Sequence, residues 1–230
     1  MWNGSRTVTL KVAVADAAVR PVPDPLVRVR RALASTSAMP PRPVTRLDLP
    51  LGIDRILGPH WQKSLRPAAV LVGILDRSDG PHVLLTQRSE RLRDHAGQIS
   101  FPGGRIEDGD ATTAHAALRE ADEEIGLNPQ ASEVIGYLDD YPTVTRFCVT
   151  PVVAQVDGTA SYEPDGVEVD AVFEVPLIHV LDLSRYRRKS VGRMGVEIPY
   201  YELMWQDWRI WGATAGMLHN LATRVAESHA

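Results

Sequence analysis

The chain has 230 residues, 44% hydrophobic and 23% charged, with a formal net charge of -4, a balance that supports a buried core and excludes a disordered or low-complexity protein. No apolar run approaches the roughly 20 residues a membrane-spanning helix needs; the longest is Ala68 to Leu75, interrupted at Gly73. The first twenty residues lack the apolar block and cleavage site of a secretory signal, and a single cysteine, Cys148, excludes an internal disulfide and a cysteine-rich zinc site, so the expectation is a cytoplasmic protein with no membrane partner.

Charge is unevenly spread. Residues 1 to 66 carry eleven Lys and Arg against four Asp, and the remainder carries fourteen against twenty-five acidic residues. Eight of the seventeen prolines also precede residue 67, among them Pro21, Pro23, Pro25, Pro40, Pro41 and Pro43, which limits regular structure there to short pieces. The pattern predicts a basic, proline-rich extension over residues 1–64 with one helix from Pro25 to Ala34, followed by a domain over 65–230. That helix is expected either to pack on the domain or on a second subunit of a homodimer, or to turn Arg28, Arg30 and Arg31 toward an anion. No aromatic-interleaved basic surface or repeat points to nucleic acid.

Ala68 to Leu75 and Val83 to Gln87, separated by the Asp76 to Gly80 turn signal, predict a hairpin. A long connection, Arg88 to Gly97, leads to a short strand at Ile99 to Phe101 and then to Pro102-Gly103-Gly104. Asp110 is expected to cap a helix from Ala111 to Ile125, in which Ala114, Ala117, Leu118, Ala121 and Ile125 recur at helical spacing, with Gly126 as the stop. Further strands are predicted at Val134 to Leu138, Phe147 to Val156 and Val169 to Val175. Pro176 to Leu183 reads as a helical turn. A strand pair, Arg185 to Ser190 and Glu197 to Trp205, flanks a Gly192 to Gly195 turn, and an amphipathic helix runs from Trp211 to Glu227. Strands that do not alternate regularly with helices indicate an α/β sandwich with a mixed sheet, not a doubly wound one.

The chemistry concentrates on the middle helix. With Glu120 as origin of a helical wheel, Glu123 and Glu124 lie about 60° to one side and about 40° to the other, beside the apolar stripe. Like charges so spaced destabilise an isolated helix by about 0.2–0.5 kcal/mol per pair, and Arg119, four residues before Glu123, offsets only part of that. A hard divalent cation resolves the conflict, and oxygen donors without a His or Cys set suit Mg²⁺ better than zinc. Gly103 and Gly104, a few residues upstream, permit close backbone approach to a metal or phosphate.

Residues 104 to 127, GRIEDGDATTAHAALREADEEIGL, resemble the Nudix box, with Gly104, Arg119, Glu120, Ala121, Glu123, Glu124, Gly126 and Leu127 in register. Asp110 stands where the pattern has Glu, and one residue too far from Arg119. Just upstream, Leu84-Leu85-Thr86-Gln87-Arg88-Ser89, Arg93, Gly97 and Phe101-Pro102-Gly103-Gly104 are similar to the signature of the coenzyme A diphosphatase branch. The resemblance implies the Nudix α/β/α sandwich, dependence on Mg²⁺ or Mn²⁺, and hydrolysis of coenzyme A to 4'-phosphopantetheine and adenosine 3',5'-bisphosphate. It also implies metal binding by Glu120, Glu123, Glu124 and the Gly104 carbonyl, an orienting Arg119, and substrate contacts from Arg88, Arg93, Gly103 and Gly104. Arg91 reads as a solvated charge, His95 as a surface histidine, Phe101 as core and Gly97 as a backbone requirement. The general base is left open among Glu124, Glu163 and Glu168. NADH, ADP-ribose, dinucleoside polyphosphates and capped RNA are alternative substrates, and a nucleotide-sensing module without catalysis is the alternative class.

Overall fold

The computed structural model describes residues 24–40, 42–44, 64–193 and 195–228; the remaining stretches of the extension, including Pro21, Pro23 and Pro41, and Met194 of the expected glycine turn lie outside the described residues. The chain forms a mixed sheet covered by helices on both faces, with a smaller sheet beside it. Strands β1 (Arg66–Arg77) and β2 (Gly80–Arg88) make the expected hairpin, closed by Ser78 and Asp79 with Arg77 opposite Gly80. β1 also runs parallel to β7 (Phe147–Val156), in register from Arg66 opposite Phe147 to Leu75 opposite Val156. A strand flanked in this way and covered on both faces must be apolar on both, which is why Ala68 to Leu75 reads as a continuous hydrophobic run.

β3 (Ile99–Ser100) and β8 (Val169–Pro176) pair with β2, and β5 (Ser132–Tyr137) and β6 (Tyr141–Pro142) pair with β7. β4 (Gly103–Arg105) pairs antiparallel with β1, placing Gly103 opposite Val70 and Gly104 opposite Ala69. The second sheet has the order β11-β10-β9, from β9 (Arg187–Arg193), β10 (Val196–Trp205) and β11 (Trp208–Trp211). β4, β6 and β11 are elements that periodicity did not reveal, because runs of two to four residues carry no recognisable alternation.

Alternation along β1 divides the core. Ala69, Leu71 and Leu75 face helix α2 (Thr113–Ile125), with Leu84, Ala117, Ala121, Ile125 and Val152 completing that layer. Val72 and Ile74 face the other way, onto α1 (Pro25–Leu33) and α4 (Gly212–Glu227), where Leu26, Val29, Leu33, Leu218 and Leu221 are buried. A short helix, α3 (Leu177–Val180), joins β8 to the second sheet. Each fully buried large aliphatic side chain contributes about 1.5–3 kcal/mol, so α1 is held by its own domain's core. Arg30 reinforces this: its Nε donates to Gln155 Oε1 at 2.9 Å and its Nη1 to Glu133 Oε1 at 3.2 Å. Arg30 is thus engaged within the domain, in line with the packing alternative and not with a reach toward an anionic ligand.

Two boundaries correct the expectations. α2 starts at Thr113 and not at Ala111, and its N-cap is Thr112, whose hydroxyl accepts from the His115 N–H at 3.1 Å. Asp110 is therefore not the cap. The expected Ile99 to Phe101 strand ends at Ser100, and Phe101 turns into the core at 3% exposure. Gly126 does end α2, in the left-handed conformation at φ 62°, with its N–H returned to the Ala121 and Asp122 carbonyls. Among the described residues no helix is long and apolar enough to cross a membrane.

Candidate active site

The site is assembled where β4 meets the last turns of α2. The Leu71 N–H donates to the Pro102 carbonyl at 2.9 Å, fixing the chain before the glycines. At Gly103, φ is 153°, and a Cβ there would lie 2.4 Å from the Ala69 carbonyl oxygen, so only glycine lets β4 lie this close to β1. The freed backbone then serves the helix: the Gly103 N–H donates to Glu124 Oε2 at 3.1 Å. A Cβ on Gly104 would lie 2.5 Å from Glu120 Oε1. Gly104→Ala is therefore expected to keep the fold, since the obstacle is the end of a flexible side chain, but to displace the Glu120 carboxylate. Turnover should fall at least about ten-fold with an unchanged melting temperature; parental turnover would show that the placement of Glu120 does not matter.

Arg119 is the hub on the other side. Its Nε and Nη2 donate to the two oxygens of Asp110, both at 3.1 Å, its Nη1 to Glu123 Oε2 at 2.9 Å, and its Nη2 also to Glu120 Oε1 at 3.0 Å and to the Arg105 carbonyl at 3.2 Å. Asp110, 1% exposed at its side chain, also accepts from the Glu107 N–H at 2.9 Å and lies 3.2 Å from His115 Nδ1. The Arg119 hydrogen bonds hold its carboxyl below the usual range, and Arg119 in turn is raised. The guanidinium fork explains the departure in spacing: a shorter acid one residue further away still meets it bidentately.

Glu124 is 6% exposed. Burial is the main cause that pushes its carboxyl up to about 8, with Glu120 and Glu168 adding to the rise while the Gly103 N–H and Arg88 oppose it. Glu120 is raised as well, again chiefly by burial and against the pull of Arg119. Arg88, at the end of β2, spans Glu124 Oε1 at 3.8 Å and Glu168 Oε2 at 3.6 Å. The loop carrying Glu168 is tied down by Asp165, whose carboxylate accepts the N–H groups of Val167, Glu168 and Val169 at 3.1, 3.0 and 2.9 Å, while the Asp165 N–H donates to the Glu124 carbonyl at 3.0 Å.

The structure thus brings together Arg88, Gly103, Gly104, Arg119, Glu120 and Glu124. Glu123 sits beside them, more than half exposed and turned to Arg119. Arg93 is not part of the group; it is exposed and makes no hydrogen bond or ion pair among the described residues. Arg91 is exposed but bonded to the Gly166 carbonyl and to Asp170. His95 is a surface residue against Gln98, and Gly97 has the positive φ, 66°, that its placement needs. Asp165 and the anchoring role of Asp110 were missed. An Asp followed by Gly and three free N–H groups is a readable signal for the first; nothing in the spacing announces the second.

A buried and a half-buried carboxylate, Glu124 and Glu120, that repel each other form an oxygen donor set that fits a hard divalent cation, which would relieve the desolvation that lifts both acids. Among the described residues no three Asp, Glu, His or Cys side chains already close on one point; Arg119 and the Gly103 N–H each hold carboxylate oxygens of this group.

The NUDIX domain family profile matches residues 64–191. The "Uncharacterized Nudix hydrolase NudL" of Klebsiella pneumoniae (strain 342) is 46% identical over 160 residues, covering 70% of this chain and 83% of that protein. The protein of the same name from Cronobacter sakazakii is 42% identical over 187 residues, 77% of this chain and 97% of its own. Among solved structures, the MutT protein from Methanosarcina mazei Go1 is 17% identical, with a TM-score of 0.46 over 72% of this chain and 96% of that one.

Proposed function

The chain belongs to the Nudix family and is a hydrolase of a nucleoside diphosphate derivative, and from that premise we propose that its substrate is coenzyme A or a derivative, cleaved with water to 4'-phosphopantetheine and adenosine 3',5'-bisphosphate. The observation that carries this reading is the contact between the two motifs. Arg88, from the Leu84 to Ser89 segment that resembles the coenzyme A branch, reaches Glu124 of the box within 3.8 Å, so residues far apart in the chain serve one pocket of charge.

A diphosphate bridge repels an incoming oxygen nucleophile, and its cleavage spreads charge over the phosphate oxygens. Nudix hydrolases generally use divalent ions such as Mg²⁺ or Mn²⁺, which acidify a bound water and neutralise those oxygens. In this chain Glu120, Glu123 and Glu124, with the Gly104 carbonyl, are the groups we assign to hold them. Gly103 fixes one oxygen of Glu124. Arg119 keeps Glu120 and Glu123 oriented. Arg88 is placed to exchange its two carboxylate contacts for a substrate phosphate, to which a guanidinium binds bidentately. Arg93, exposed and without a partner among the described residues, is free to do the same from the loop. Residues 1–64 are in this reading an extension of the hydrolase domain, its helix α1 packed on the core, and a homodimer is the assembly we propose.

Hydrolysis rates for coenzyme A, an acyl-coenzyme A, NADH, ADP-ribose and a dinucleoside polyphosphate, with Mg²⁺ or Mn²⁺, test the assignment. Coenzyme A or its acyl form is expected to be cleaved at least about ten-fold more efficiently than the others. Inert coenzyme A beside efficient cleavage of another substrate would reject it.

A further inference from the structure

Arg66, Phe147 and Arg105 meet on the face of the sheet opposite α2. Arg66 opens β1 and Phe147 opens β7, neighbours in the parallel ladder, while Arg105 closes β4 opposite Ala68. The Arg66 guanidinium carbon lies 4.2 Å from the Phe147 ring centroid and that of Arg105 5.7 Å. Both arginines are exposed and the ring is half-buried. Neither guanidinium has an acidic partner among the described residues, in contrast to Arg30, Arg42, Arg77, Arg88 and Arg119. A guanidinium that rests on an aromatic ring uses its flat face there and keeps its N–H edge for an anion. The backbone turns Arg146 into the same corner, its carbonyl accepting from the Arg66 N–H at 2.9 Å.

This corner is one residue from the carboxylates. Gly104 lies against Glu120, and Arg105 follows it with its carbonyl bonded to Arg119. Successive residues of a strand project to opposite faces about 3.4 Å apart along the chain. Among the described residues β4 pairs with no strand but β1, and its Gly103 N–H and Arg105 carbonyl are engaged by Glu124 and Arg119 of α2, so a ligand held at those carboxylates lies beside the backbone that carries Arg105. The diphosphate would sit on the α2 face and a second anionic group on the arginines.

We propose that Arg66 and Arg105, stacked on Phe147, form the subsite for a phosphate carried on the substrate's ribose, the group that separates coenzyme A from NADH and ADP-ribose. This rests on the coenzyme A reading for the identity of that phosphate, but not for the existence of the subsite. A ribose phosphate is a monoester dianion close to the diphosphate in the same molecule, and two unpaired guanidinium edges complement its charge and its oxygens.

The test compares kcat/KM for coenzyme A and 3'-dephospho-coenzyme A, with NADPH and NADH as a second pair, in the parent protein and in Arg66→Gln, Arg105→Gln and the double variant. The parent should prefer coenzyme A. Each single substitution should lower the ratio of coenzyme A to dephospho-coenzyme A about ten-fold and the double variant further, with Arg105→Lys retaining part of it. An unchanged ratio, or an equal loss on both substrates, overturns the subsite. If coenzyme A is inert while the NADPH to NADH ratio falls in the variants, the coenzyme A reading fails and the ribose-phosphate subsite stands. If only substrates without a ribose phosphate are cleaved, both fail.

Discussion

Replacing Glu124 with Gln is expected to lower turnover by about a thousand-fold, the scale for losing one charged group that acts on the reacting phosphates, without weakening the fold. The two effects part because of burial. At 6% exposure, with its carboxyl raised to about 8 from an ordinary 4.5, Glu124 in the metal-free protein is mostly protonated at neutral pH, and the Gln side chain is a neutral isostere that still accepts from the Gly103 N–H. The sign of the pH dependence follows. Between the ordinary and the raised value the folded state holds a proton that the unfolded chain releases, so this group's support for the fold is full below about pH 4.5 and is lost as pH rises through about 8. Glutamine has no such proton to lose. Melting temperatures in a chelator should therefore be close for the two proteins at pH 5, with the Gln variant the more stable at pH 8. Parental turnover, or the same difference at both pH values, would remove Glu124 from its assigned place.

The second large effect is expected at Asp110. Asp110→Ala leaves Arg119 without the two 3.1 Å bonds that fix it; because Arg119 keeps Glu120 and Glu123, the cost is that of lost charge-assisted hydrogen bonds, about 1.5–3 kcal/mol. Arg119 then orients Glu120 and Glu123 less firmly, and turnover should drop about ten- to a hundred-fold, as when a ligand-orienting residue is lost. Here the pH dependence has the opposite sign. The Asp110 carboxyl is held low by Arg119, so its contribution is present above the ordinary carboxylate range and is lost as pH falls through the depressed folded value. Urea unfolding should show a wide gap between parent and variant at pH 7 that narrows in strong acid. A gap under roughly 0.5 kcal/mol at pH 7, the range of ordinary surface substitutions, would mean that Asp110 anchors nothing.

Much of this was legible in the chain. β1 and β7 announced themselves because apolar runs bounded by turn residues have few other uses, and α2 because Ala117, Ala121 and Ile125 recur at helical spacing before a glycine. The carboxylate group was legible for a different reason: three acids on one arc conflict with one another, and the conflict asks for a cation. Asp110 was misread. Both an N-cap and an ion-pair anchor call for a short acid ahead of a helix, and only the fold shows that Thr112 takes the first role. Arg66, Arg105 and Phe147 left no trace, since they are brought together by the pairing of β1 with both β4 and β7, a tertiary fact that no local pattern carries. Arg93 shows the converse: it belongs to a motif, yet the fold leaves it at the surface.

The most direct measurement is a mass analysis of the products when coenzyme A is incubated with the protein and Mg²⁺ in ¹⁸O-water. The account predicts two products, 4'-phosphopantetheine and adenosine 3',5'-bisphosphate, with one labelled oxygen on one of the two newly freed phosphates. Intact coenzyme A, or loss of only its 3'-phosphate, would contradict it.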